Sequence, residues 1–164
     1  MTIEARQTEA PCWQDSLARD RGAYPVHHLL QTRVGDLDGY GHLNAVRLGQ
    51  YYEDARAVFQ QSIRRGGRAR VVVAQFGVRY LAEGKWPGDV EVGTGVVRIG
   101  TSSYAIGQAL FQGRRCIGLC ETVLVHIRDS RPAPLPTDYR AELGRFLVRP
   151  RPGRTSEAWA DLRS

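Results

Sequence analysis

The sequence predicts an α+β domain, an antiparallel sheet of about five strands packed on one long helix. Three observations carry the prediction. A single long amphipathic segment runs from Ala45 to Ile63, with apolar residues three or four apart. The substantial segments after it alternate apolar and polar residues with a period of two. The resulting order, β-α-β-β-β-β, lacks the repeated strand–helix units that build a parallel sheet.

Length and composition agree with one domain, because 164 residues that are 42% hydrophobic suffice for a single core. The domain is expected over 23–147, between a flexible arm at 1–22 that mixes charges with small residues and a flexible tail at 148–164. No apolar run approaches the ~20 residues of a membrane span. The start, Met1 to Ala10, also lacks the basic-then-apolar order of a secretion signal, so the expected location is cytoplasmic, without a membrane partner. The formal charge is +6, and all but one (Lys85) of the 23 basic residues are arginine. That basicity admits anionic partners, from nucleic acid to a phosphorylated small molecule. The densest cluster, Arg64, Arg65, Arg68 and Arg70, falls where cations suit a helix C-terminus, and no nucleic-acid partner is expected. Cys12, Cys116 and Cys120 leave an odd thiol over. The last two sit four apart in an expected strand, on one face and ~13 Å from each other, so all three read as reduced.

In chain order, the first strand begins near Tyr24, where Val26, His28, Leu30, Thr32 and Val34 alternate with His27, Leu29, Gln31 and Arg33. Glycines 35, 39 and 41 then break the strand and allow a tight turn. Along the helix Leu48, Tyr51, Tyr52, Ala55, Phe59 and Ile63 face inward, and Gly66-Gly67 ends it. Ala74 to Tyr80 reads as the next strand, and Lys85-Trp-Pro-Gly88 turns the chain into Val90 to Val96. A turn at Gly100 leads to Tyr104 to Leu110, and the most apolar run spans Cys116 to Ile127. The Pro-rich segment Arg131 to Pro136 stops it, and a short helical piece spans Asp138 to Phe146. A lone amphipathic helix covers one side of such a sheet, so its edges and part of a face call for a second copy.

Chemistry concentrates where the first strand meets the helix, in the stretch from Arg33 to Asn44 that holds Asp36, Asp38, His42 and three glycines. A helix N-terminus presents unpaired N–H groups and a partial positive charge, which can hold an oxygen that gains negative charge. The chain contains no Gly-x-Ser-x-Gly elbow, no His-Glu-x-x-His helix and no Gly-Lys-Ser/Thr phosphate loop. Asp36, Asp38 and Gly41 start like a calcium loop, but Tyr40 stands fifth and Arg47 twelfth, where carboxylates or other oxygen ligands belong, and no metal is expected. A carboxylate such as Asp38 beside the helix start can attack a carbonyl carbon or activate water against it. The backbone amide of Gly41 or His42 would polarise the carbonyl oxygen. A thioester suits such sparse machinery, since a thiol of pKa about 8.5 to 10 leaves as thiolate without a strong general acid. The competing assignment is structural: Asp38 or Asn44 caps the helix for about 1 kcal/mol and His42 is inert.

Asp36-Leu-Asp-Gly-Tyr-Gly-His-Leu-Asn44, followed by Tyr51-Tyr-Glu-Asp-Ala-Arg56, resembles the signature of hotdog-fold acyl-CoA thioesterases. These are the relatives of 4-hydroxybenzoyl-CoA thioesterase and of plant acyl-ACP thioesterases. Their pattern is Asp-x-Asp-x-x-Gly-His-x-Asn-Asn, then a tyrosine and a helix with Glu-x-Ala-Arg. The resemblance extends from about Tyr24 to Phe146 and takes in the Ile99-Gly-Thr-Ser-Ser103 turn and the Pro132 to Pro136 ending. It implies a hotdog fold, with the sheet wrapped round the helix and the site between two subunits. It implies Asp38 as nucleophile or general base, His42 and Asn44 as residues positioning water or substrate, and the amide of Gly41 or His42 as the oxyanion donor. Tyr51, Ser103 and Arg98 are implied as substrate contacts, with Arg98 or the arginines at 64 to 68 toward coenzyme A phosphates. Two residues depart from the pattern: Ala45 stands at the second asparagine and Arg47-Leu48 near the usual tyrosine, which bears on acyl preference. The related dehydratases are disfavoured, because no His-x-x-x-x-Pro run pairs with a helix glutamate.

The function expected from the sequence is hydrolysis of an acyl thioester, of coenzyme A or of acyl carrier protein, in fatty acyl metabolism. Coenzyme A enters as part of the substrate and no other cofactor is expected. A homodimer or a dimer of dimers is expected. The alternative is a non-catalytic hotdog protein that binds acyl-CoA or a similar ligand.

Overall fold

The computed structural model describes residues 16–63 and 69–149. Strands β1 (Val26–Leu30), β2 (Val71–Tyr80), β3 (Val90–Ile99), β4 (Ser103–Gln112) and β5 (Arg115–Arg128) form one sheet in the order β1-β3-β4-β5-β2, and a two-residue β6 (Arg131–Pro132) pairs with β5. Every pairing is antiparallel. Helix α1 (Ala45–Ile63) leaves β1 at one edge and delivers the chain to β2 at the other, so it crosses the sheet and the sheet curls round it. This is the expected hotdog arrangement. Helix α2 (Thr137–Arg145) closes the end of the core.

Burial follows the predicted spacing. Leu48, Tyr51, Tyr52, Ala55, Arg56, Phe59 and Ile63 are the buried residues of α1. The first half of the helix packs on Val90, Val92, Leu110, Ile117 and Cys120, and the second half on Val96, Tyr104, Ile106, Leu124 and residues of α2. Each fully buried side chain among them, such as Phe59 or Ile63, contributes roughly 1.5–3 kcal/mol by leaving water. Tyr52 lies so close over β5 that a Cβ at Gly118 would stand 2.6 Å from its hydroxyl, which explains a glycine inside the central sheet.

The structure differs from the sequence expectations at several places. β1 ends at Leu30, and Val34–Asp36 turn into a short 3-10 helix instead of extending the strand. Ser16–Arg19 and Arg21–Ala23 also form 3-10 helices, so order begins within the stretch read as a loose arm. Ala18, Ala23 and Tyr24 pack with Ala109, Phe111 and Leu119 on the face of the sheet away from α1. Arg21 stacks on the Phe111 ring and donates to Gly113 O at 2.5 Å. Order likewise runs past 147: Val148 N–H bonds Val96 O and Arg149 N–H bonds Ala23 O. Cys116 and Cys120 do not share a face. Register slips between Leu110 and Phe111, with Ile117 the extra residue on β5, so Cys116 joins the outer cluster and Cys120 the helix side. Cys12, the cluster Arg64, Arg65 and Arg68, the Gly66-Gly67 stop and the ends of arm and tail lie outside the described residues. No helix among the described residues is long and apolar enough to cross a membrane.

Candidate functional site

Between β1 and α1 the chain makes a closed loop. Leu37 and Leu43 form an antiparallel bridge, Asp38 N–H donates to His42 O at 2.8 Å, and Gly41 N–H returns to Asp38 O at 3.2 Å. Gly41 sits at φ 80°, a conformation that residues with a Cβ rarely adopt, which is why a glycine closes the turn. Leu43 N–H to Gly84 O at 2.9 Å and Thr32 Oγ1 to Gly88 O at 2.5 Å fasten the loop beside the start of β3.

Within the loop the Asp38 carboxylate, half exposed, accepts through Oδ1 from Tyr40 N–H at 2.8 Å and His42 N–H at 3.1 Å. Those amides, His42 first and Tyr40 second, hold its carboxyl below the usual carboxylate range. Asp38 is therefore ionised at neutral pH, with Oδ2 outside both bonds. The His42 ring, half buried, places Nε2 3.2 Å from Glu83 Oε2. Asn44 caps the helix: its Oδ1 accepts from Val46 N–H at 2.8 Å and its carbonyl from Leu48 N–H at 3.0 Å.

The amides of Gly41 and His42, read from the sequence as oxyanion donors, are engaged inside the loop by Asp38. First-turn amides of a helix have no intrahelical acceptor, and of those at the start of α1 Asn44 caps that of Val46. Among the described residues, the other amides of that first turn, those of Ala45 and Arg47, receive no such cap.

Asp36 carried no assigned role in the sequence reading and proves the most connected residue here. It is buried, and its Oδ2 accepts from Tyr51 Oη at 2.6 Å and Arg33 N–H at 2.8 Å. Arg47 Nε lies 3.7 Å from Oδ1. The Tyr51 hydrogen bond does most to lower the carboxyl pKa, and burial together with the charge of Asp36 raises that of the phenol. Tyr51, expected to touch substrate, is buried with its hydroxyl turned to Asp36. Asp36 was visible in the motif, but its partner fifteen residues on was not, because that pairing depends on how the loop folds back on the helix. Glu83 beside His42 had no local signal at all.

Arg98 and Ser103 stand apart from this group. They sit at the end of β3 and the start of β4, whereas the loop adjoins the start of β3, on the order of 30 Å away along a ten-residue strand. One chain brings Asp38, Gly41, His42 and Asn44 together and leaves Arg98 and Ser103 at the opposite end. Among the described residues no group of three or more His, Cys, Asp or Glu side chains is arranged to hold a metal ion.

The β2 edge is unusually apolar. Val72, Val73, Phe76 and Tyr80 are exposed in the single chain, and Tyr80 Oη reaches Ala45 O at 3.3 Å.

Comparison with known proteins agrees with this architecture. A thioesterase from Thermus thermophilus, solved with coenzyme A and Zn, is 31% identical over 73% of this chain and 98% of its own, at a TM-score of 0.67. A predicted thioesterase from Bacillus stearothermophilus is 26% identical over 76% of this chain and 98% of its own, at 0.69. A putative thioesterase from Pseudomonas aeruginosa is 32% identical over 70% of this chain and 95% of its own, at 0.61. No curated protein matches the chain. The profile of the thioesterase-like superfamily matches residues 32–143, from just before the Asp36–Asn44 loop into α2, and the chain belongs to that superfamily.

Proposed function

We propose that the protein hydrolyses an acyl thioester, with the Asp38 carboxylate as the reacting group. The observation that supports this most is an ionised carboxylate fixed by Tyr40 and His42 amides in the loop that enters α1. A lowered pKa makes Asp38 a weak base but a fully ionised nucleophile. Direct attack follows: a carboxylate oxygen bonds the carbonyl carbon, the C–S bond breaks and the electron pair leaves as thiolate. Water then cleaves the mixed anhydride, releases the carboxylic acid, restores Asp38 and supplies the proton that the thiolate takes up. In this reading the amides of Ala45 and Arg47 stabilise the oxyanion, and His42, paired with Glu83, guides the water.

The active form is inferred to be a homodimer. A long exposed edge with Val72, Val73, Phe76 and Tyr80 invites strand pairing, and a second copy running antiparallel would bring its Ser103 and Arg98 end toward this chain's Asp38. An arginine-rich chain suits a phosphorylated thiol such as coenzyme A. The test is release of free thiol from a panel of acyl-CoAs and acyl carrier proteins. Turnover of one class over the other identifies the carrier. A second reading draws on the same hydrogen bonds: Asp38 only closes its own loop and the protein binds acyl-CoA without cleaving it. That reading predicts saturable binding with no thiol released from any substrate.

A further inference from the structure

Two of the loop's attachments to the rest of the chain run through one residue. The Asp36 side chain holds Tyr51 in the second turn of α1 and lies beside Arg47 in the first. Its carbonyl accepts from the N–H of Asn44, the helix cap, at 2.8 Å, and its own N–H bonds Arg33 O at 2.9 Å. The side chain of Asp38, two residues on, is tied to the loop's own amides at Tyr40 and His42. The orientation of Asp38 against the helix is thus set through Asp36 on one side and through the Leu43 to Gly84 bond on the other. A buried carboxylate is a poor choice for stability alone, since a well-packed apolar pair would serve as well. What a charged, short hydrogen bond adds is fixed direction.

We propose that Asp36 and Tyr51 form a buried lock that positions the Asp38 carboxylate against the start of α1. The lock rests on the reading of Asp38 as the reacting group, and makes Asp36 and Tyr51 positioning residues.

Tyr51→Phe removes one hydroxyl and keeps the ring in place, so the fold survives. The first readout needs no activity: the carboxyl of Asp38 is titrated by carbon NMR in the full chain, with His42, the ionisable neighbour in its loop, and Glu83, which pairs with His42, followed alongside. In the variant the Asp38 midpoint rises toward the ordinary carboxylate value, because the Tyr40 and His42 amides lose their alignment. The second readout is turnover: kcat falls about tenfold while KM changes less than about twofold. Asp36→Asn, which keeps the acceptor oxygen and loses the charge, falls between the two. An Asp38 titration that does not move in Tyr51→Phe overturns the lock, whatever the activity. If the titration moves and the wild-type protein cleaves no thioester, the lock stands and the hydrolase reading fails.

Discussion

Asp36 and Asp38 are two residues apart and meet different surroundings. Asp36 is buried under a tyrosine and beside an arginine, while Asp38 is half exposed with one oxygen held by loop amides. Both are ionised in the folded chain, with different consequences. Because the folded pKa of Asp36 lies below its unfolded value, its stabilisation is present above the ordinary carboxylate pKa of about 3.9 and is lost as pH falls through the depressed value. Thermal melts from about pH 6 down to about 2.5 should therefore show a steeper acid loss in the wild type than in Asp36→Asn. At neutral pH, Tyr51→Phe should lower stability by about 1.5–3 kcal/mol, the range for a hydrogen bond to a charged group, read from urea midpoints at unchanged slope. The motif made Asp38, His42 and Asn44 visible in the sequence, since all three lie in one short stretch. The roles of Asp36, Tyr51 and Glu83 were hidden because each depends on a partner that only the fold brings near.

At the level of elements, α1 and its sheet follow from periodicity. Spacings of three and four in α1 and of two in β3 and β4 place the same residues in the core that the sequence assigns there. Periodicity failed where register shifts. The extra residue Ile117 sends Cys116 and Cys120 to opposite faces, and no pattern in the run from Cys116 to Ile127 marks that bulge. The ordered Ser16–Tyr24 segment was equally illegible, because its holds are on Phe111, Gly113 and Leu119, far along the chain. The contact between α1 and β5 gives a sharp test. Gly118→Ala forces a Cβ against the buried Tyr52 hydroxyl and should cost about 1–3 kcal/mol, whereas Phe59→Ala, which empties a fully buried site, should cost about 3–5 kcal/mol by denaturant unfolding.

For the whole molecule, the proposed pairing through β2 makes assembly and activity one property. A chain of 18.3 kDa should run at twice that mass in light scattering. Phe76→Glu, which puts a charge on the exposed apolar edge, should return it to one copy. On the proposed pairing, Arg98 and Ser103 would meet Asp38 from a second chain, so thiol release should fall in step with the loss of the pair. Full activity in a single-copy variant would dissociate the two.

The central claim, that the Asp38 carboxylate cleaves the thioester, is tested most directly by thiol release under saturating acyl-CoA with wild type and Asp38→Asn at matched folded concentration. The amide keeps an oxygen for the Tyr40 and His42 amides but removes the charge, so kcat should fall about a hundredfold or more. A rate in Asp38→Asn within about twofold of wild type would contradict it.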